Sequence, residues 1–464
     1  MNQLFGRDCS RRRFVQSAAA GLVAGYCGLT RVQDRGARPV RAAGVTVLNP
    51  RERVPLSFII DDSTCLVNLN RFAMPQFAEA FPQAKVYQRD WKNWPAEIPD
   101  EFVRKFANWC GDKGVKGKYS IVPYPACVGR LDRVLPGWTA KELTASIDLV
   151  HKVMTPNWDI HPEMITHTRV VDVKTGHPYA DSSEKFMENW RWTDGKSVAE
   201  LTEYLAYALK ILKNVDLPCE GITTPGGFGN RVLPELSQAT FAACRDVFKT
   251  EIPHYFRHLY DRGTESVAPR VEYASGLDAA DPRCVVSIIG CTGDWTGGWD
   301  NSEELFPDRF ITPDLKSGRL VEVIERGEPA VLVCHWTGIY HNGEELGFKV
   351  FQEVVRRLES RFEMVRWMKL SEISRYWAAK ELTAIEKTER GLKLTAPFAC
   401  SDFTIKVEAS PAGAPSVVSG GRVIALREVK SAKDVVANTW RREGDGAILC
   451  FELVKGKIEI RWGD

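Results

Sequence analysis

Ser57-Phe58-Ile59-Ile60-Asp61-Asp62-Ser63-Thr64-Cys65 (SFIIDDSTC, residues 57–65) joins an apolar run to two adjacent carboxylates. Four residues without polar alternation read as a strand covered on both faces, as in a parallel sheet. Such a strand has no structural use for Asp61 and Asp62, because neighbouring ionised carboxylates repel and are costly to desolvate. A bound cation would give the pair a reason to exist. The rest of the chain can be searched for its other ligands.

Outward from this stretch, apolar runs alternate with amphipathic segments from Pro55 to about Leu382. KYSIVPY, CVVSIIG and AVLVCHW read as strands, and MVRWMKL as a short one. LTASIDLVHKVM and LTEYLAYALKIL read as helices, opened by the capping-box patterns Thr139-Ala140-Lys141-Glu142 and Ser197-Val198-Ala199-Glu200. LGFKVFQEVVRRLES is another helix after the AVLVCHW strand. Alternating β and α over this length predicts a parallel α/β sheet or barrel. After Trp377 the texture changes to short alternating segments broken by Gly, Pro and Ser, which predicts a small antiparallel β-domain. The expected division is a signal and linker over residues 1–45, an α/β unit over 46–379 and a β-domain over 380–464.

The bounds are those of an ordinary globular chain: 464 residues, 44% hydrophobic and 26% charged. A net charge of +2 gives no reason to expect nucleic acid or an anionic membrane as partner. Ser10-Arg11-Arg12-Arg13-Phe14-Val15-Gln16, followed by an Ala/Gly/Leu/Val stretch, resembles a twin-arginine export signal. It implies the twin-arginine machinery as partner, cleavage near Val40-Arg41-Ala42, and a periplasmic or extracellular destination without a stable membrane anchor. The 12 cysteines include no C-x-x-C pair, and Cys65, Cys334 and Cys450 sit in apolar runs as expected of buried thiols.

In parallel α/β folds the reactive groups stand at the carboxyl ends of strands, where Asp61 and Asp62 lie. His161 and His167 flank Glu163 in DIHPEMITH, and two imidazoles with a carboxylate form a common zinc ligand set. His335 ends the Ala330–Cys334 run, placed as a general acid or base would be. Trp336 beside it, and Trp295 in the aromatic Gly293–Asp300 stretch, are candidate walls of a sugar cleft.

Together these motifs resemble the polysaccharide deacetylase superfamily, over residues 55 to about 375. The resemblance implies a distorted (β/α)7-type barrel carrying the small C-terminal antiparallel β-domain. It implies Asp61 as the base that activates water, Asp62, His161 and His167 as metal ligands, and His335 as the acid that protonates the leaving group. The two histidines are six apart where the family spaces them four apart. Thr224, before Pro225, stands where the family carries an Arg that orients the base. The expected function is a metal-dependent hydrolase acting on the carbonyl of an N- or O-acylated carbohydrate, with a divalent cation, zinc by its ligand types. Glu163, Trp295 and Trp336 are the expected substrate contacts. The alternatives are a metal-dependent glycoside hydrolase, with Glu163 as its first residue to mutate, and a non-catalytic exported carbohydrate-binding protein.

Overall fold

In the computed structural model, residues 38–463 are described. Seven parallel strands form the centre: β1 (Val54–Asp61), β2 (Gly117–Ile121), β3 (Trp158–Pro162), β4 (Gly221–Thr223), β5 (His254–Leu259), β6 (Arg283–Gly290) and β7 (Ala330–His335). They divide between two sheets. One runs β7-β1-β2-β3, with Val365–Trp367 added beside β1, and the other runs β4-β5-β6 with Arg270–Ser275 antiparallel at its edge. The seams are thin. A single bridge, Glu163 with Thr223, joins the β3 and β4 ends, and the residues just past β6 join β7 by bonds from Cys291 N–H to the Val331 carbonyl and from Val333 N–H to Thr292 Oγ1. The architecture is mixed α/β and only partly barrel-like. The expected continuous barrel is interrupted because β3 and β4 meet only beyond the end of β3.

Period-two alternation sorts each strand between two cores. Leu56, Phe58 and Ile60 of β1 face the surrounding helices, whereas Ile59 faces inward. Phe58 stacks on Phe351 of the helix Leu346–Arg361 at 4.0 Å between centroids and meets Trp158 edge-on. Full burial of such a ring is worth about 1.5–3 kcal/mol, so Phe58→Ala would open the strand–helix contact at its centre. Gly117 is required where β2 passes β1, since a Cβ there would lie 1.9 Å from the Phe58 carbonyl oxygen. Both expected capping boxes form, at Thr139/Glu142 and Ser197/Glu200. They start the helices Ala140–Val153 and α1 (Val198–Lys213).

Inward residues of the strands, Ile59, Phe256, Val286, Ile288, Val331 and Val333, share one core with α2 (Leu370–Leu382) and with Phe398, Phe403 and Phe451 beyond it. Residues 384–462 build two five-stranded sheets mainly of antiparallel pairs; Phe403 and Phe451 pair in one of them, and Phe398 lies in the bend before the Phe403 strand. Val45–Val47 also joins them, antiparallel to Ile405–Val407. This strand straddles the expected linker–barrel boundary at 45/46, and Val45 and Val47 bury their side chains there.

The export motif at residues 10–16 lies outside the described residues. Beside the expected cleavage point, the Val40 carbonyl accepts from Ile385 N–H and Ala42 N–H donates to the Ile385 carbonyl. Among the described residues no helix is long and apolar enough to cross a membrane. All ten described cysteines are free thiols. Cys65, Cys334 and Cys450 are buried, and burial pushes Cys65 up to about 12.

Candidate metal centre

Asp61 and His335 are direct partners across the β1/β7 ladder, so both stand at the same end of the strands. Asp61 points inward and meets a residue from β2, Lys118, whose Nζ lies 2.5 Å from Asp61 Oδ1. Lys118 also donates to the Ile60 carbonyl at 3.0 Å and to Ser120 Oγ at 2.7 Å. Both ions are fully buried.

Asp62, the next residue, leaves the strand with φ +61°, a left-handed conformation that costs a non-glycine residue about 1–3 kcal/mol and clusters at functional sites. Its N–H donates to Glu163 Oε2 at 2.9 Å, and its Oδ1 lies 2.8 Å from His167 Nε2. Glu163 Oε1 is 3.7 Å from the same nitrogen. Asp62, Glu163 and His167 each offer a ligand atom within 4.8 Å of the others, the one such cluster among the described residues. Two buried carboxylates and an imidazole fit a divalent cation by charge and donor type. Burial opposes the charge on His167. The Asp62 carboxylate beside it, with Glu163 and Glu188, outweighs burial and holds the imidazole above its ordinary value.

His335 completes the group. Its Nδ1 lies 2.7 Å from Asp294 Oδ2, and the same oxygen accepts the His335 backbone N–H at 3.0 Å. Asp294 is fixed in turn by Thr296, whose N–H donates to Oδ1 at 2.9 Å and whose hydroxyl does so at 2.5 Å. This leaves His335 Nε2 facing the cluster, 4.0 Å from Asp62 Oδ2.

The structure does not bring His161 to this cluster. Its side chain lies on the inner face of β3, with Nε2 2.9 Å from His254 Nε2 and Nδ1 3.3 Å from Thr223 Oγ1. Gly221 makes room for it, as a Cβ there would lie 2.7 Å from His161 Nε2. Burial, with the charges of His254 and Lys118, pushes His161 well down, and burial lowers His254 to about 4. A neutral pair results in which one Nε2 donates to the other.

Glu163, expected as a substrate contact, sits instead among the candidate ligands. Trp336 is buried between Phe102, Phe106 and Tyr119 on the helix side of β7, so it does not face the cluster. Trp295 packs edge-on against Phe310 and anchors its loop. The aromatic ring that does approach the cluster is Phe77, 6.5 Å from the His167 ring and edge-on to the half-buried Trp299. Lys118 and Glu188 were not singled out from sequence as site residues, and Asp294 and Trp299 stood out only as members of the Gly293–Asp300 stretch. Lys118 had a visible signal, a charge inside an apolar strand, and Asp294 stands just past the end of one.

No family model matches this chain, and no curated protein does. Among solved structures, a candidate polysaccharide deacetylase from Mycobacterium smegmatis aligns at 14% identity with a TM-score of 0.39, over 76% of this chain and 98% of its own. An alpha-L-fucosidase aligns at 9% identity and TM-score 0.27, and a Thermotoga maritima alpha-fucosidase at 11% and 0.29, each over 89% of this chain and 97% of its own. All three bear the names of carbohydrate-active enzymes. At scores this low the likenesses carry no argument about activity.

Proposed function

We propose that this protein is a metal-dependent hydrolase that cleaves the acyl group from an N- or O-acylated carbohydrate. The observation that carries the proposal is the Asp62–Glu163–His167 cluster standing beside an imidazole already oriented by a carboxylate. Asp62, Glu163 and His167 would hold a divalent cation, zinc by its ligand types, which would supply polarisation of the carbonyl and a lowered pKa of water.

The contact of Nδ1 with Asp294 Oδ2 at 2.7 Å orients the His335 ring so that Nε2 is turned toward the cluster. His335 takes the proton of the attacking water there and delivers it to the departing nitrogen or oxygen. Asp61, expected from the family resemblance to be the base, is assigned a different part. Paired with Lys118, it holds the strand ends next to Asp62 in place. The glycosidase alternative is not favoured, because Glu163 already accepts the Asp62 N–H and lies among the candidate ligands. The export signal belongs to the same proposal. Changing Arg11 and Arg12 to Lys should hold the protein in the cytoplasm.

The test is acetate release from N-acetylated chitooligosaccharides and O-acetylated xylan by the purified protein. Release that chelation abolishes and zinc restores is the expected result. Stoichiometric metal with no release from any acylated glycan would favour the non-catalytic binder instead.

A further inference from the structure

His167 reaches the cluster from a loop, residues 163–169, whose backbone is under tension. Met164 and His167 both have positive φ, +50° and +64°. Non-glycine residues persist there only when their surroundings hold them. Backbone bonds from Tyr124 and Ala126 N–H to the Ile165 and Thr166 carbonyls hold one side of it, and a single side chain gathers its own N–H groups. The backbone N–H of Ile165 donates to Glu188 Oε1 at 3.2 Å, that of Thr166 to Oε1 at 3.2 Å and Oε2 at 3.0 Å, and that of His167 to Oε2 at 2.6 Å. Successive amides converging in this way make an anion-binding concavity, and the anion here is internal.

Glu188 is itself secured. Its N–H donates to the Thr168 carbonyl at 2.7 Å, closing the loop from the other side. The hydroxyl of Tyr204, on α1, donates to Glu188 Oε1 and accepts the Val171 N–H. Glu188 is fully buried, and burial pushes its carboxyl up to about 7 against those hydrogen bonds. The charge inside the protein thus depends on these donors.

We propose that Glu188, braced by Tyr204, is the positioning residue that sets His167 as a cation ligand. It touches neither the cluster's centre nor any substrate, so it acts through the loop that carries the imidazole. The inference rests on the proposed cation site. Glu188→Gln keeps the shape but turns an amide N–H₂ toward backbone donors. Partners one step removed from a metal typically alter affinity by roughly 10–100-fold.

Zinc affinity of the full chain, measured by competition with a chromophoric chelator, should fall about tenfold or more in Glu188→Gln. A His167→Ala background separates positioning from general damage. There the second change should leave residual affinity unaltered, whereas a merely structural defect would lower it further. Affinity within twofold of wild type in Glu188→Gln would overturn the proposal. If Glu188→Gln does not fold, Tyr204→Phe carries the same test with an expected loss of several-fold, and no loss overturns it. Should wild type bind no zinc, the cation reading fails by itself. Amide exchange at Ile165, Thr166 and His167 still decides the anchor: faster exchange in the variant supports it, and unchanged protection refutes it.

Discussion

Lys118→Met tests the buried charge at the foot of the site. The substitution keeps an unbranched apolar stem of similar length and removes the ammonium. The contacts that go with it include 2.5 Å to Asp61 Oδ1, 2.7 Å to Ser120 Oγ and 3.0 Å to the Ile60 carbonyl. Both members of the ion pair have no exposed side-chain surface, so water cannot replace the lost partner. Removing one member of a buried pair typically costs about 3–5 kcal/mol. About 3 kcal/mol is more than a hundredfold in the unfolding equilibrium. Urea unfolding, with the m-value checked for constancy, measures it. The double change Asp61→Asn/Lys118→Met should be more stable than Lys118→Met alone, because the stranded carboxylate is gone. A Lys118→Met protein within about 1 kcal/mol of wild type, or a double variant no better than the single, would refute the reasoning.

Other consequences are equally open to measurement. Asp294→Ala should lower kcat for acetate release about a hundredfold or more with KM little changed, since it frees the His335 ring without touching the ligand cluster; an unchanged kcat would remove His335 orientation from the account. Asp159 accepts the Ser371 N–H at 2.6 Å and hydroxyl at 2.8 Å at the start of α2, and burial raises its carboxyl from the ordinary 3.8 to about 6. Its proton is held more tightly in the folded protein, so this contribution to stability is full below about pH 4 and lost as pH rises through about 6. The stability difference between wild type and Asp159→Asn should shrink across that window, and a flat difference would contradict it. Truncation after Leu382 should abolish cooperative unfolding, because Ile59, Val331 and Val333 share their core with the sandwich residues Phe398 and Phe403. A soluble fragment with a sharp thermal transition would show that core to be divisible.

The strands were legible in sequence where both faces are covered, as in the Ile59–Ile60 and Val331–Cys334 runs. Those same runs correctly placed Asp61, Asp62 and His335 at one end of the strands, because a parallel ladder in register brings strand ends together. Trp336 was not readable in this way. His335 ends the strand and Trp336 opens the short helix Trp336–Tyr340, which turns its ring away from the cluster onto Phe106.

The imidazoles were harder. His161 and His167 are close in sequence, but His161 is inside β3 and His167 beyond it, in a loop whose left-handed residues redirect the chain. Spacing cannot report such a reversal. Val45–Val47 was hidden for another reason: three residues are too few to show alternation, and their partner strand lies more than 350 residues away.

The central claim is that a cation sits among Asp62, Glu163 and His167. Elemental analysis of purified wild type, Asp62→Ala, His167→Ala and His161→Ala tests it most directly. About one divalent ion per chain is expected in wild type and in His161→Ala, and almost none in the other two. A wild-type protein without stoichiometric metal, or a His161→Ala protein that loses it as completely as Asp62→Ala, would contradict the account.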